Sequence, residues 1–223
     1  MRTKALFLAA ALSAAGVATS MAQVYSVNAV GYVNQTIPSQ FSMIANPLVA
    51  PSNTLNALFP PASMPPGLGF YKFVGGGFQI SIVDEFDVIW VKNGIPDGDT
   101  ETLAFGDGAF LFNPGSSFTL TWVGEVAQGT PVSNPAPTGF SVKSSKIPQS
   151  GLVTTDLAFT PTAGDIIQKF NSAGQTFETY IFDEFDLIWV RDGLPNQPSL
   201  AIAESAFFNL VAPNSWNRNF TVN

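Results

Sequence analysis

The densest concentrations of reactive oxygen in the chain are two tetrapeptides, Asp84-Glu85-Phe86-Asp87 and Asp183-Glu184-Phe185-Asp186. On a strand, side chains alternate between faces. Glu85 and Asp87 would then share one face with Ile89, and Phe86, Val88 and Trp90 the other, with Asp84 at its rim. Adjacent carboxylates backed by main-chain carbonyls could hold a weak Ca2+ site, a cation that takes about six to eight oxygens. The ligand candidates are Asp84, Glu85 and Asp87 with Asp183, Glu184 and Asp186. The competing reading is a solvated strand entrance whose charges keep a sheet edge from pairing with other chains. A carboxylate pair could also cleave a glycosidic bond, given a cleft and one raised pKa. A second acidic run, Asp97-Gly98-Asp99-Thr100-Glu101 with Asp107 beyond, mimics the start of a calcium loop. Its central Gly and terminal Glu are out of register for that purpose. The corresponding stretch Asn196-Gln197-Pro198 carries no charge, so a polar hairpin loop is the preferred reading.

Aromatic side chains are the other chemical resource, with 20 Phe and 4 Trp. Trp90 and Trp189 sit in short apolar runs at corresponding places and are assigned to the core. Trp122 and Trp216 do not correspond, and they are the candidate ligand contacts, as stacking platforms for sugars. Packing is the competing reading for both. Gly75-Gly76-Gly77 has no following helix and no Lys-Ser/Thr pair, so it is a turn and not a phosphate loop.

What is missing narrows the chemistry further. The chain has no His and no Cys, which removes thiolate nucleophiles, the Ser-His-Asp triad, zinc sites and iron-sulfur clusters. Nine basic residues against 16 acidic ones give a net charge of -7, unsuited to gripping nucleic-acid phosphates. A hydrophobic fraction of 46% supplies material for a core, so disorder is not expected.

These residues must be positioned by short strands. Arg2 and Lys4 followed by the apolar run Ala5–Val17 and by Ser20-Met21-Ala22 read as a secretory signal cleaved after Ala22. The mature chain then starts at Gln23 with 7 basic and 16 acidic residues, and no later apolar run is long enough for a transmembrane helix. Residues 84–96 (DEFDVIWVKNGIP) and 183–195 (DEFDLIWVRDGLP) are identical at nine of 13 positions, at an offset of 99. The same offset aligns Phe41-Ser42 with Phe140-Ser141, Phe78 with Phe177, and Pro114 with Pro213. Lys72-Phe73 and Ala109-Phe110 find their counterparts Lys169-Phe170 and Ala206-Phe207 only after a shift of two. The chain therefore reads as two copies of one unit, roughly 31–129 and 130–223. Strands are expected at 28–34, 41–46, 70–74, 78–83, 87–92, 109–113 and 118–124 and at their partners, because short apolar runs are punctuated by Gly and Pro. Asn113-Pro114-Gly115-Ser116 suits a type II turn. Short helical turns are expected at Asn53–Phe59 and Thr155–Phe159. The segment 24–30 is expected to form an edge strand that pairs within the chain or, as a minor route to polymer, with a neighbour.

The segments FSMIANPL (41–48), GFYKFVGGGFQ (68–78) and GDGAFLFNPGSSFTLTWVGEV (106–126) together resemble a β-rich module of secreted and surface proteins of bacteria. The opening NAVGYV (28–33) and the ending SWNRNFTVN (215–223) are similar to a group of double-copy proteins of that kind, of unknown function. Copy two departs from the pattern where Gly106 and Gly108 give way to Glu204 and Ser205 or their neighbours. The resemblance brings no catalytic residues.

The combined reading is an all-β protein. A signal peptide (1–22) precedes two tandem copies of a β-sandwich or barrel-like unit of about 99 residues, 23–129 and 130–223, related by internal duplication. Its expected role is that of a secreted, periplasmic or cell-surface or matrix protein, non-enzymatic, acting by assembly or adhesion. Its partners would be itself, other surface proteins or glycans, and it would need no cofactor unless the weak Ca2+ site forms. The rivals are a carbohydrate-binding module, a carboxylate-based hydrolase and an outer-membrane barrel.

Overall fold

The computed structural model describes residues 29–222. The signal peptide, its cleavage at Ala22 and most of the expected strand 24–30 lie outside the described residues. The first half contains β1 (Val30–Ile37), β2 (Gln40–Ala45), the single-turn helix α1 (Leu55–Leu58), β3 (Gly69–Val74), β4 (Gly77–Val83), β5 (Trp90–Lys92), β6 (Ile95–Pro96), β7 (Gly108–Asn113) and β8 (Phe118–Glu125). The second half contains β9 (Gly129–Ala136), β10 (Gly139–Lys143), β11 (Gly151–Leu152), β12 (Ile166–Asn171), β13 (Thr176–Phe182), β14 (Trp189–Arg191), β15 (Leu194–Pro195), β16 (Ser199–Leu200), β17 (Ala206–Leu210) and β18 (Asn214–Phe220). The protein is all-β, with two six-stranded antiparallel sheets in the manner of a β-sandwich.

The sheets run β2-β7-β3-β4-β5-β6 and β10-β17-β12-β13-β14-β15, the same order strand for strand. Each half also has a two-stranded ribbon that joins its first strand to its last, β1 with β8 and β9 with β18. From Val30 onward, β1 is therefore paired inside the chain, Val30 opposite Glu125. Each ribbon and its sheet enclose a core. Ile37, Leu120 and Trp122 join Ile44, Phe70, Trp90 and Leu111 in one cluster. Trp216 joins Ile167, Trp189 and Phe208 in the other.

Turn chemistry explains the local geometry. Asn93-Gly94 and Asp192-Gly193 are two-residue hairpin loops with all four φ angles positive, the type I′ pattern that Asn-Gly and Asp-Gly favour. The β3–β4 hairpin closes through Gly75-Gly76, both left-handed. Its counterpart β12–β13 closes through the four residues Ser172–Gln175, two more. That insertion accounts for the change of offset between Phe73, which matches Phe170 before the loop, and Phe78, which matches Phe177 after it; the offset changes back by two between Pro96 and Ala109, where the second half is shorter.

Three local expectations are corrected. Gly115 is not left-handed, so no type II turn forms. The buried side chain of Asn113 shapes the bend instead, accepting from the Gly115 N–H and donating to the carbonyls of Pro38 and Ser116. Thr155–Phe159 makes turns rather than helix, and Ala158 at φ 57 breaks the helical path. Pro114 and Pro213 lie in corresponding links, β7–β8 and β17–β18, but at different places in them, Pro114 directly after β7 and Pro213 directly before β18.

Candidate functional site

The acidic tetrapeptides lie in turns between β4 and β5 and between β13 and β14, not on strands. One oxygen of Asp84 accepts hydrogen bonds from the main-chain N–H groups of Phe86 and Asp87 at 2.8 and 2.9 Å. Asp183 does the same for Phe185 and Asp186 at the same distances. Bonds from the Asp87 and Phe86 N–H groups stabilise the ionised form and hold the Asp84 pKa below its ordinary value, and Asp183 is held down likewise. Among the described residues no group of three or more acidic side chains converges where a metal could sit. The alternating-face reading is corrected too, because Phe86 and Phe185 are each 91% exposed.

The second acidic run is a loop solvated only at Asp99 and Thr100. Asp97 and Glu101 are buried. Lys72 and Lys92 donate to the two oxygens of Glu101 at 3.0 and 2.8 Å, and Ser81 donates to Asp97 at 2.6 Å. Burial pushes the Glu101 pKa upward, but the two ammonium groups outweigh it and leave the carboxyl below its ordinary value. Asp107 pairs with Lys143 at 2.6 Å, across the two halves. All of these carboxylates serve the fold.

Trp122 and Trp216, the candidate sugar platforms, are buried and offer no face to a ligand. Each meets a loop phenylalanine edge-on, Phe59 or Phe159, with ring centroids 5.3 Å apart in both cases. The alternation Thr119-Leu120-Thr121-Trp122 is the signal that would have turned Trp122 inward. Trp90 and Trp189 occupy the cores as expected, their indole N–H groups bonded to the Phe59 carbonyl and to the Thr154 hydroxyl.

A different set of aromatics forms a concave site. The outer faces of the two sheets meet in a groove of about 1040 Å3 lined by eight phenylalanines, Tyr71, Gln168, Gln175 and Gly76. The twelve residues are six matched pairs. Phe41 is matched by Phe140, Phe73 by Phe170, Phe78 by Phe177, Phe110 by Phe207, Tyr71 by Gln168 and Gly76 by Gln175. Contacts across the groove are reciprocal. Phe110 lies 5.1 Å from Phe170, and Phe207 lies 5.2 Å from Phe73. Phe110 lies 6.1 Å from Phe177, and Phe207 lies 6.4 Å from Phe78. The two central rings, Phe110 and Phe207, are 6.1 Å apart. Reciprocity of this kind is the mark of a two-fold, self-complementary contact. Main-chain bonds repeat it, Ala45 N–H to the Ala203 carbonyl and Ser144 N–H to the Gly106 carbonyl.

The pseudo-symmetry breaks at the two ends. The Gln175 amide accepts from the Phe41 N–H at 3.1 Å and donates to the Phe41 carbonyl at 3.0 Å, closing that end. Tyr71 adds an edge contact to Phe41 at 5.3 Å. At the other end the matched residues are Gly76, which has no side chain, and Gln168. Phe140 is accordingly half exposed, so the groove opens there. Among the described residues, its wall carries no charged side chain. The repeated Phe pairs were visible in the sequence, but nothing in the sequence turned them toward one another. No family model, no curated protein and no solved structure matches this chain.

Proposed function

We propose that the protein is a secreted, non-enzymatic binding module that adheres to its partner by taking an uncharged, apolar guest into the aromatic groove. The observation that carries this reading is the lining itself, eight phenylalanines and no ionised group around about 1040 Å3. That volume is at the upper end of small-molecule sites, which run to about 1,000 Å3 and combine apolar walls with a few polar groups. Among the described residues of the wall, only Tyr71 and Gln168 offer side-chain hydrogen bonds to a guest, because the Gln175 amide is bonded to Phe41 and Ser172. A sugar would leave most of its hydroxyls unpaired on such a wall, which is costly. Acid-base catalysis would require a titratable pair in the groove, and the lining supplies none. The sequence resemblance to double-copy surface proteins of bacteria supports a setting outside the cytoplasm.

The test is titration with N-phenyl-1-naphthylamine, a neutral aromatic dye that brightens in apolar surroundings. Binding should saturate at one site. Phe140→Glu and Phe78→Glu, each at a half-exposed wall position, should weaken it at least tenfold while circular dichroism stays native. Binding unchanged by both substitutions, or absent in the parent protein, would overturn the reading.

A further inference from the structure

We propose that the acidic aromatic turns at 84–88 and 183–187 are two matched docking points for a basic partner protein whose surface carries an apolar socket rimmed by Lys or Arg. The turn itself needs only the carboxylate of Asp84 or Asp183, which caps two main-chain N–H groups. Among the described residues, Glu85, Phe86 and Asp87 make no side-chain hydrogen bond or ion pair, and neither do Glu184, Phe185 and Asp186. Yet the two halves carry the same residues at these positions. Phe86 and Phe185 are each 91% exposed, and Val88 and Leu187 extend the apolar tip at 43% and 60%. Single exposed apolar residues are ordinary on a protein surface. Two tips with the same large aromatic, flanked by the same carboxylates, are a repeated surface feature without an internal task.

Charge selects the partner. All seven Lys and Arg of the described residues are bonded within the chain, four of them to Glu101, Asp107 or Glu178. Among the described residues, five of these cations are paired with carboxylates and Lys146 and Arg218 are bonded to uncharged oxygens, so a second copy of this chain presents no cluster of free cations to receive Glu85 and Asp87. A partner rich in cations meets the tip with both an apolar and an electrostatic match, the combination that gives specificity as well as a fast encounter. The tips are remote from the groove. The lining residue Tyr71 pairs with Ile80, and four residues of strand separate Ile80 from Asp84, roughly 13 Å at the rise of a β-strand, so the proposal stands apart from the groove reading. Two equal tips also make the molecule divalent, able to bridge two partner molecules or to bind one with avidity.

The experiment titrates the full chain against a labelled amphipathic helical peptide made of Leu and Lys alone, whose apolar stripe is rimmed by ammonium groups. Fluorescence anisotropy gives affinity and calorimetry gives stoichiometry. The expected result is two peptides per chain, one for Phe86→Ser, and at least tenfold weaker binding for the double variant Phe86→Ser/Phe185→Ser. The melting temperature should not change, because both rings lie outside the core. Asp87→Asn/Asp186→Asn should weaken binding while leaving two sites. Peptide binding unaffected in the double phenylalanine variant would reduce the effect to general charge attraction and overturn the proposal. Binding of the parent chain to phosphatidylcholine vesicles, lost in that variant and unaccompanied by peptide binding, would overturn it in favour of a membrane surface.

Discussion

Replacing Phe110 or Phe207 by Ala tests the reciprocal groove most directly. Both rings are 7% exposed. Phe110 meets Phe41, Phe78, Phe170, Phe177 and Phe207. Phe207 meets the mirror set, Phe140, Phe177, Phe73, Phe78 and Phe110. A buried Phe→Ala change costs about 3–5 kcal/mol. Here the vacated space opens onto the groove, where water can enter, so the lower end, about 3 kcal/mol, is expected for each. Because the neighbour sets match, the two costs should agree within about 0.5 kcal/mol. The double variant loses the Phe110–Phe207 contact once rather than twice. It should therefore cost less than the sum by about 0.5–1.5 kcal/mol, the range for an aromatic pair. Urea unfolding followed by tryptophan fluorescence reads both halves, since Trp90 and Trp122 lie in one core and Trp189 and Trp216 in the other. A difference above about 2 kcal/mol between the single variants would refute the reciprocal arrangement. A cost below about 1 kcal/mol in either would refute the packing of the central rings.

Trp90→Ala and Trp189→Ala should each cost about 3–5 kcal/mol in the same denaturation assay, because both indoles are buried and bonded. Val88 stands at φ 54, where a β-branched residue is strained, so Val88→Asn should raise stability by about 1 kcal/mol, measurable as a higher urea midpoint. Glu101 has its folded pKa held below the ordinary carboxylate value, so its contribution is present above that ordinary value and is lost as pH falls through the depressed folded value. Thermal melts from pH 7 down to pH 3 should therefore show a steeper acid loss for the parent than for Glu101→Gln, and parallel curves would contradict the assignment. Gly108→Ala should destabilise the junction between the halves, because a Cβ there would run into the Ser205 side chain and crowd Val142, and circular dichroism melts would register it.

The sequence by itself determined the all-β class, most strand positions and the burial of Trp90 and Trp189, since punctuation by Gly and Pro and short apolar runs act locally. The shifts of two residues between the halves were also legible, and one of them falls in the β3–β4 and β12–β13 hairpin loops, whose lengths differ. The sequence left open which face each strand turns inward. Runs such as Gly-Phe-Tyr-Lys-Phe-Val at 69–74 and Ala-Phe-Leu-Phe at 109–112 have almost no polar alternation, because one face meets its own core and the other meets the groove. Period-two reasoning needs a wet face to orient a strand, and these strands have none. The acidic turns were misread for a related reason. A side-chain oxygen that caps two N–H groups bends the chain at Asp84 and Asp183, and that bond is visible only once the turn exists. Only the tertiary structure could decide that four phenylalanines from each half face one another, because the contacts that bring Phe110 to Phe170 and Phe207 to Phe73 join residues far apart in the chain and depend on how two whole sheets pack.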